Sequence, residues 1–206
     1  GAPSNRQSEA AARRKGHAKL ADYLRAVIDA GGYAREAARE EARVAPGLRA
    51  AARAGKLDEV RAIVAEHPLA ANETDEKGLS VLIIATLKGH REIVDAILAV
   101  SPAVDVDARE KGGGRTALFL AAHTGHEAIA RALCAKGADA NAANAKGQTP
   151  LWTAAANGRL GIVRCLLAHG ASPEIDASGS AKITQPEATA RAKGHAEVAD
   201  YLRAVI

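Results

Sequence analysis

Glycine recurs along this chain with a spacing that few architectures produce. Gly55, Gly89, Gly125, Gly158 and Gly194 are separated by 34, 36, 33 and 36 residues, and His90, His126 and His195 follow three of them. A second set, Gly78, Gly114 and Gly147, precedes each internal glycine by eleven residues, while Gly137 and Gly170 stand 33 apart. Three registers that agree on one period point to a stack of repeated units, each burying its apolar face against its neighbours.

The residues between the glycines say what each unit is made of. Four, five, eight and nine positions after the glycine come Ile93, Val94, Ile97 and Leu98, then Ile129, Ala130, Leu133 and Cys134, then Ile162, Val163, Leu166 and Leu167. That is one apolar face of a helix. Before the glycine stand LSVLIIATLK, RTALFLAAHT and QTPLWTAAAN, where Ala85, Ala121, Ala122, Ala154 and Ala155 let a second helix approach closely. Composition agrees: about a quarter of the residues are alanine, aromatics make up 2% and methionine is absent. Alanine is the strongest helix former, and a sheet protein of this size would need more β-branched and aromatic residues. An all-α fold of helix, glycine turn, helix and loop is predicted.

In these motifs the chain resembles the ankyrin repeat family. The family pattern is a TPLHxAA first helix, a GH turn, a second helix and a GADxN hairpin. It is matched by TPLWTAAANGRLGIVRCLLAHGA and by TALFLAAHTGHEAIARALCAKGADANAANAKG. The resemblance covers residues 46–206 and implies an ankyrin-like solenoid of about five stacked helix-turn-helix repeats with hairpin loops, near 46–75, 76–110, 111–144, 145–176 and 177–206. None of the three internal units keeps the family's histidine. Ile83, Phe119 and Trp152 stand there, predicted to act as apolar substitutes in the stack. The 36-residue intervals place insertions at Lys111 to Arg115 and Asp176 to Lys182, predicted to form longer, mobile fingers. Solenoid ends need a polar outer face. Glu59 and Arg203 supply it where internal units carry Ile, and Leu or Cys, so 46–206 is predicted to be a complete, capped stack.

Residues 7–28 match residues 185–206 at 17 of 22 positions without a gap, far more closely than any two internal units match each other. Such similarity points to recent duplication or deliberate construction. Residues 1–28 are therefore predicted to be a copy of the C-terminal capping helix pair, and 29–45 a helical linker ending just before Pro46. An alternative to a simple binding module follows: an assembly scaffold in which residues 7–28 and 185–206 compete for one docking surface. That competition would give self-association by exchange or head to tail. The bland alternative is a sixth helix pair ahead of unit one.

Several function classes are disfavoured. The apolar runs fall short of the roughly 20 residues of a membrane span, and GAPSNRQ does not read as a signal peptide. With two cysteines, Cys134 and Cys165, a disulfide framework is disfavoured, and a cytoplasmic or otherwise intracellular location is expected. The formal charge of +4 is spread along the chain, and without aromatic interleaving nucleic acid is a poor partner. No HExxH, GxSxG or phosphate-binding glycine loop occurs, so no enzyme and no cofactor are expected. His90, His126 and His195 belong to the repeated turn and are predicted to be structural. Cys134 and Cys165 fall in different registers of their second helices and are predicted to fill the core. A structural zinc site would need four convergent ligands, and no metal site is expected.

What remains is a non-catalytic module that binds another protein or peptide. The family resemblance implies a concave binding face built from hairpin tips and first-helix ends. Carried over by position, it falls on Glu76, Lys77, Leu79, Arg115, Lys146 and Gln148 in the hairpins, and on Leu87, Lys88, His123, Thr124, Ala156 and Asn157 at the helix ends. This mixture of cations and amides suits a partly acidic partner, although Asp75 and Glu76 oppose it.

Overall fold

Helix starts, glycine turns and hairpins recur in step along the chain. The computed structural model describes residues 39–100, 104–173 and 185–205. The chain divides into two compact units, Gly1–Arg43 and Val44–Ile206. Of the first, residues 39–43 are described, and they are helical. The duplicated segment 7–28, most of the linker and the finger at 176–182 lie outside the described residues.

In the second unit, α1 runs over residues 44–54 and α2 over Leu57–Glu66, and four further helix pairs follow. These are α3 (Val81–Lys88) with α4 (Arg91–Val100), α5 (Ala117–Thr124) with α6 (Glu127–Ala135), α7 (Pro150–Ala156) with α8 (Leu160–Ala168), and α9 (Pro186–Ala192) with α10 (Ala196–Val205). No strand occurs among the described residues, and no helix there is long and apolar enough to cross a membrane. One boundary is corrected. Helix does not stop before Pro46 but continues through it to residue 54. Ala45, Leu48, Ala51 and Ala52 are all buried along that helix, and their packing outweighs the one backbone bond that proline removes.

Hydroxyl side chains set where the internal first helices begin. Ser80 Oγ, Thr116 Oγ1 and Thr149 Oγ1 accept the backbone N–H of Ile83, Phe119 and Trp152 at 3.3, 3.2 and 3.1 Å, satisfying donors that a helix start leaves open. Glycine ends the helices because the turn needs a left-handed backbone: φ is 73° at Gly89 and 86° at Gly125. Side chains at these turns also touch the preceding unit. A Cβ on Gly55, Gly89 or Gly158 would fall 3.0, 2.7 or 2.6 Å from the ring of His90, His126 or His195. The turn histidines therefore rest on the previous glycine, which accounts for both residues of the GH motif.

Packing follows two tracks: each first helix from α3 to α9 lies on the next first helix, and each second helix from α2 to α10 on the next second helix. Leu82, Leu118, Leu120, Leu133, Leu151 and Leu166 are buried between them. Glu59 and Arg203 are exposed, whereas their counterparts in the internal units, Ile93, Ile129, Ile162, Leu98 and Cys134, are buried and Leu167 is half-buried.

The finger at Lys111 to Arg115 differs from expectation, because it is tied down. Glu110, buried, accepts from the N–H of Gly112 at 2.6 Å and from Arg115 Nε at 2.8 Å. Lys111 N donates to Lys77 O and Ala145 N to Gly113 O, joining the hairpins before and after. Asp75 and Asn144 hold the shorter neighbouring hairpins the same way, each accepting two backbone N–H groups. A loop one residue longer takes the longer glutamate. Burial opposes the charge on Glu110, but the Arg115 side chain and the N–H groups of Gly112 and Arg115 outweigh it and hold the carboxyl below its ordinary range. A depressed folded pKa stabilises above the unfolded value, and that stability disappears as the pH falls through the folded value. Glu110→Gln is expected to cost about 1–3 kcal/mol at neutral pH. In urea titrations between about pH 7 and pH 3, the gap to the parent protein should shrink on acidification; a gap independent of pH would contradict the assignment.

Candidate protein-binding groove

The hairpin before α7 fixes its own side chains. Asn144 Oδ1 accepts from the N–H groups of Lys146 and Gln148, while its Nδ2 donates to Gln148 Oε1 at 3.0 Å. That leaves the Gln148 amide nitrogen to donate to a partner. At the other end of α7, Asn157 Nδ2 donates to the Thr153 carbonyl at 2.8 Å.

Between this hairpin, the Gly112–Gly113 finger and the first helices α5 and α7 lies a groove of about 580 Å³. Phe119 and Trp152 line it together with Ala156, and Lys193 reaches its edge from unit five. Phe119 is 5% exposed and Trp152 half-buried, so Trp152 supplies most of the aromatic surface that a ligand can reach. The formal charges lining it have one sign, Arg115, Lys146 and Lys193, with His123 beside them and no Asp or Glu among the lining residues. Arg115 is held in place by Glu110. Thr153, buried in the floor, has a hydroxyl with no hydrogen-bond partner among the described residues.

Six of the twelve residues singled out from the sequence meet in this groove: Arg115, His123, Lys146, Gln148, Ala156 and Asn157. Glu76 and Lys77 line a separate, shallower depression of about 440 Å³ with Arg49, Thr74 and Asp75. The acidic residues that opposed an acidic partner are thus not in the main groove. Leu79 is half-buried and packs against the core, whereas Leu87, 39% exposed, and Lys88 are exposed outside the groove. Thr124 turns to its own helix, its hydroxyl donating to the Leu120 carbonyl at 2.8 Å.

The sequence reading missed Trp152, Phe119, Asn144 and Lys193 as site residues. Trp152 and Phe119 share the register of the family histidine and were expected to serve the stack. Ile83, in the same register, is buried. An indole is too large for that slot, and its size was the available signal.

Cys134 and Cys165 are buried, as expected for core positions, and neither forms a disulfide. Burial, followed by the charge and hydrogen bond of Cys165, pushes the Cys134 thiol up to about 12.

A protein-family model described as ankyrin repeats, in three copies, matches residues 48–144 and 97–178, together more than half of the chain. No curated protein matches the chain.

Proposed function

The chain belongs to the ankyrin repeat family, and from that premise we propose that it is a non-catalytic module that binds an acidic peptide or protein segment in the groove between units three and four. Ankyrin repeats generally mediate protein–protein interaction. The observation that carries the finer reading is the coincidence in one groove of an aromatic wall, four basic side chains and no carboxylate. Aromatic residues supply contact area at low entropic cost and dominate interface energetics. The one-signed rim selects the partner's charge and speeds encounter. The partner that fits carries an apolar side chain to lie on Trp152 and flanking Asp or Glu to meet Lys146, Lys193 and His123.

The test is a peptide selected from a randomised library on the full chain. Selected sequences should be acidic around an aromatic or aliphatic residue. The pair His123→Glu with Lys146→Glu should weaken binding by roughly 10-fold or more, while leaving stability within about 0.5 kcal/mol because both side chains are exposed. Unchanged affinity in that pair, with loss in Lys136→Glu beside the second-helix track, would place the interaction elsewhere.

A further inference from the structure

Outside the groove, the second-helix track brings together three side chains that metals favour. Cys134 lies on α6, Cys165 on α8 and His169 just beyond the end of α8. One sulfur from each cysteine and one imidazole nitrogen all lie within 4.8 Å of one another. Cys165 and His169 are four residues apart on one helical turn, a spacing that places both on the same face; the sulfur is 3.9 Å from Nδ1. Cys134 meets them from the neighbouring unit. The sulfurs are buried and the imidazole is exposed, so the cluster has an apolar back and a side open to solvent.

We propose that Cys134, Cys165 and His169 bind a zinc(II) ion, with a water molecule in the fourth position. Three protein ligands and an open fourth position are an established way to hold this ion. Charge supports a divalent metal: two thiolates and a neutral imidazole balance it, so the loaded site buries no net charge. On binding, two S–H bonds break, two zinc–sulfur bonds form and two protons leave to the buffer. Tetrahedral zinc, with Zn–S near 2.3 Å and Zn–N near 2.0 Å, needs its ligands roughly 3.4–3.8 Å apart. The observed separations close to that range with side-chain movements of about 1 Å. His169 Nδ1 lies 2.8 Å from the Cys165 carbonyl oxygen; in the metal-free protein this nitrogen donates to that oxygen. Zinc would be held either through Nε2, with the ring turned and Nδ1–H still able to donate, or through Nδ1, with the proton moved to Nε2 and this contact given up; an exposed residue at a helix end moves with little resistance. Because the two helices belong to consecutive units, an ion here would clip unit three to unit four.

Cobalt(II), which reports zinc sites spectroscopically, is added to the reduced full-length protein. The expected result is one ion per chain, with thiolate-to-cobalt charge-transfer absorption that zinc abolishes by displacement. Cys134→Ala and Cys165→Ala should each remove that absorption while leaving the helical circular dichroism intact, since alanine suits both buried positions. His169→Ala, at an exposed position, should weaken binding at least as much as losing an outer-shell partner does, about 10- to 100-fold. The proposal is overturned if the parent protein gives no charge-transfer band, if the band survives in either folded cysteine variant, or if His169→Ala binds as tightly as the parent.

Discussion

Leu118→Ala is expected to lower the stability of the solenoid by about 2–5 kcal/mol, the largest effect of any single truncation considered. Leu118 is fully buried in α5, and its counterparts Leu82 and Leu151, in the units on either side, are buried to the same degree. Its neighbours along the helix, Phe119, Leu120, Ala121 and Ala122, are also buried. Little around the site can therefore collapse into the space left behind, and the upper part of the range applies. Position adds to the effect. In a stack whose stability is the sum of unit and interface terms, a cavity in unit three weakens the interfaces on both of its sides. Urea unfolding followed by circular dichroism measures it. Leu87→Ala is the control, since Leu87 is 39% exposed and its removal should change stability by no more than about 0.5 kcal/mol. A loss below about 1 kcal/mol for Leu118→Ala would contradict the packing described here.

Trp152→Ala is expected to have the largest effect on binding, about 2 kcal/mol or more, or roughly 30-fold in Kd. The indole stands half-buried in the groove, beside Thr153 and between the basic side chains. That is where interface energy concentrates: a large apolar surface, surrounded by polar groups that keep water out. Truncation of a half-buried residue also lowers stability, so a second variant separates the two effects. Trp152→His places the family's own residue in this register and should keep the fold, while still losing most of the contact area. If Trp152→His is folded and binds the selected peptide as tightly as the parent, Trp152 is not the anchor.

The architecture was legible because its signals are local and repeat. A left-handed turn needs glycine, so Gly89 and Gly125 mark helix ends directly, and the His126 ring resting on Gly89 explains why the two residue types travel together. Glu59 and Arg203 each replace an apolar residue in a known register, and both are exposed. What stayed hidden depends on contacts between units. Glu110 ties down a glycine-rich finger that, read alone, looks loose; its partners Gly112 and Arg115 are near in sequence, but the bonds from Lys111 to Lys77 and from Ala145 to Gly113 cross between hairpins. Pro46 looked like a helix boundary because the cost of proline is local, whereas the burial of Ala45 and Leu48 that overrides it is tertiary. Cys134 and Cys165 occupy non-equivalent positions of their units, so alignment of the repeats keeps them apart, while side-by-side packing of α6 and α8 brings their sulfurs together. For the groove, family register gave six of its fourteen lining residues. Register alone did not separate Lys146, which lines the groove, from Lys77 at the same position two units earlier, which lines a different depression.

The most direct test of the binding account is amide hydrogen exchange on the full chain, free and saturated with an acidic peptide selected against it. The account predicts new protection over residues 112–124 and 144–157, where the finger, α5, the next hairpin and α7 build the groove, with little change over α6 and α8. Protection confined to Glu127–Ala135 and Leu160–Ala168 would mean that the partner docks on the second-helix track, and the groove would no longer be the binding site.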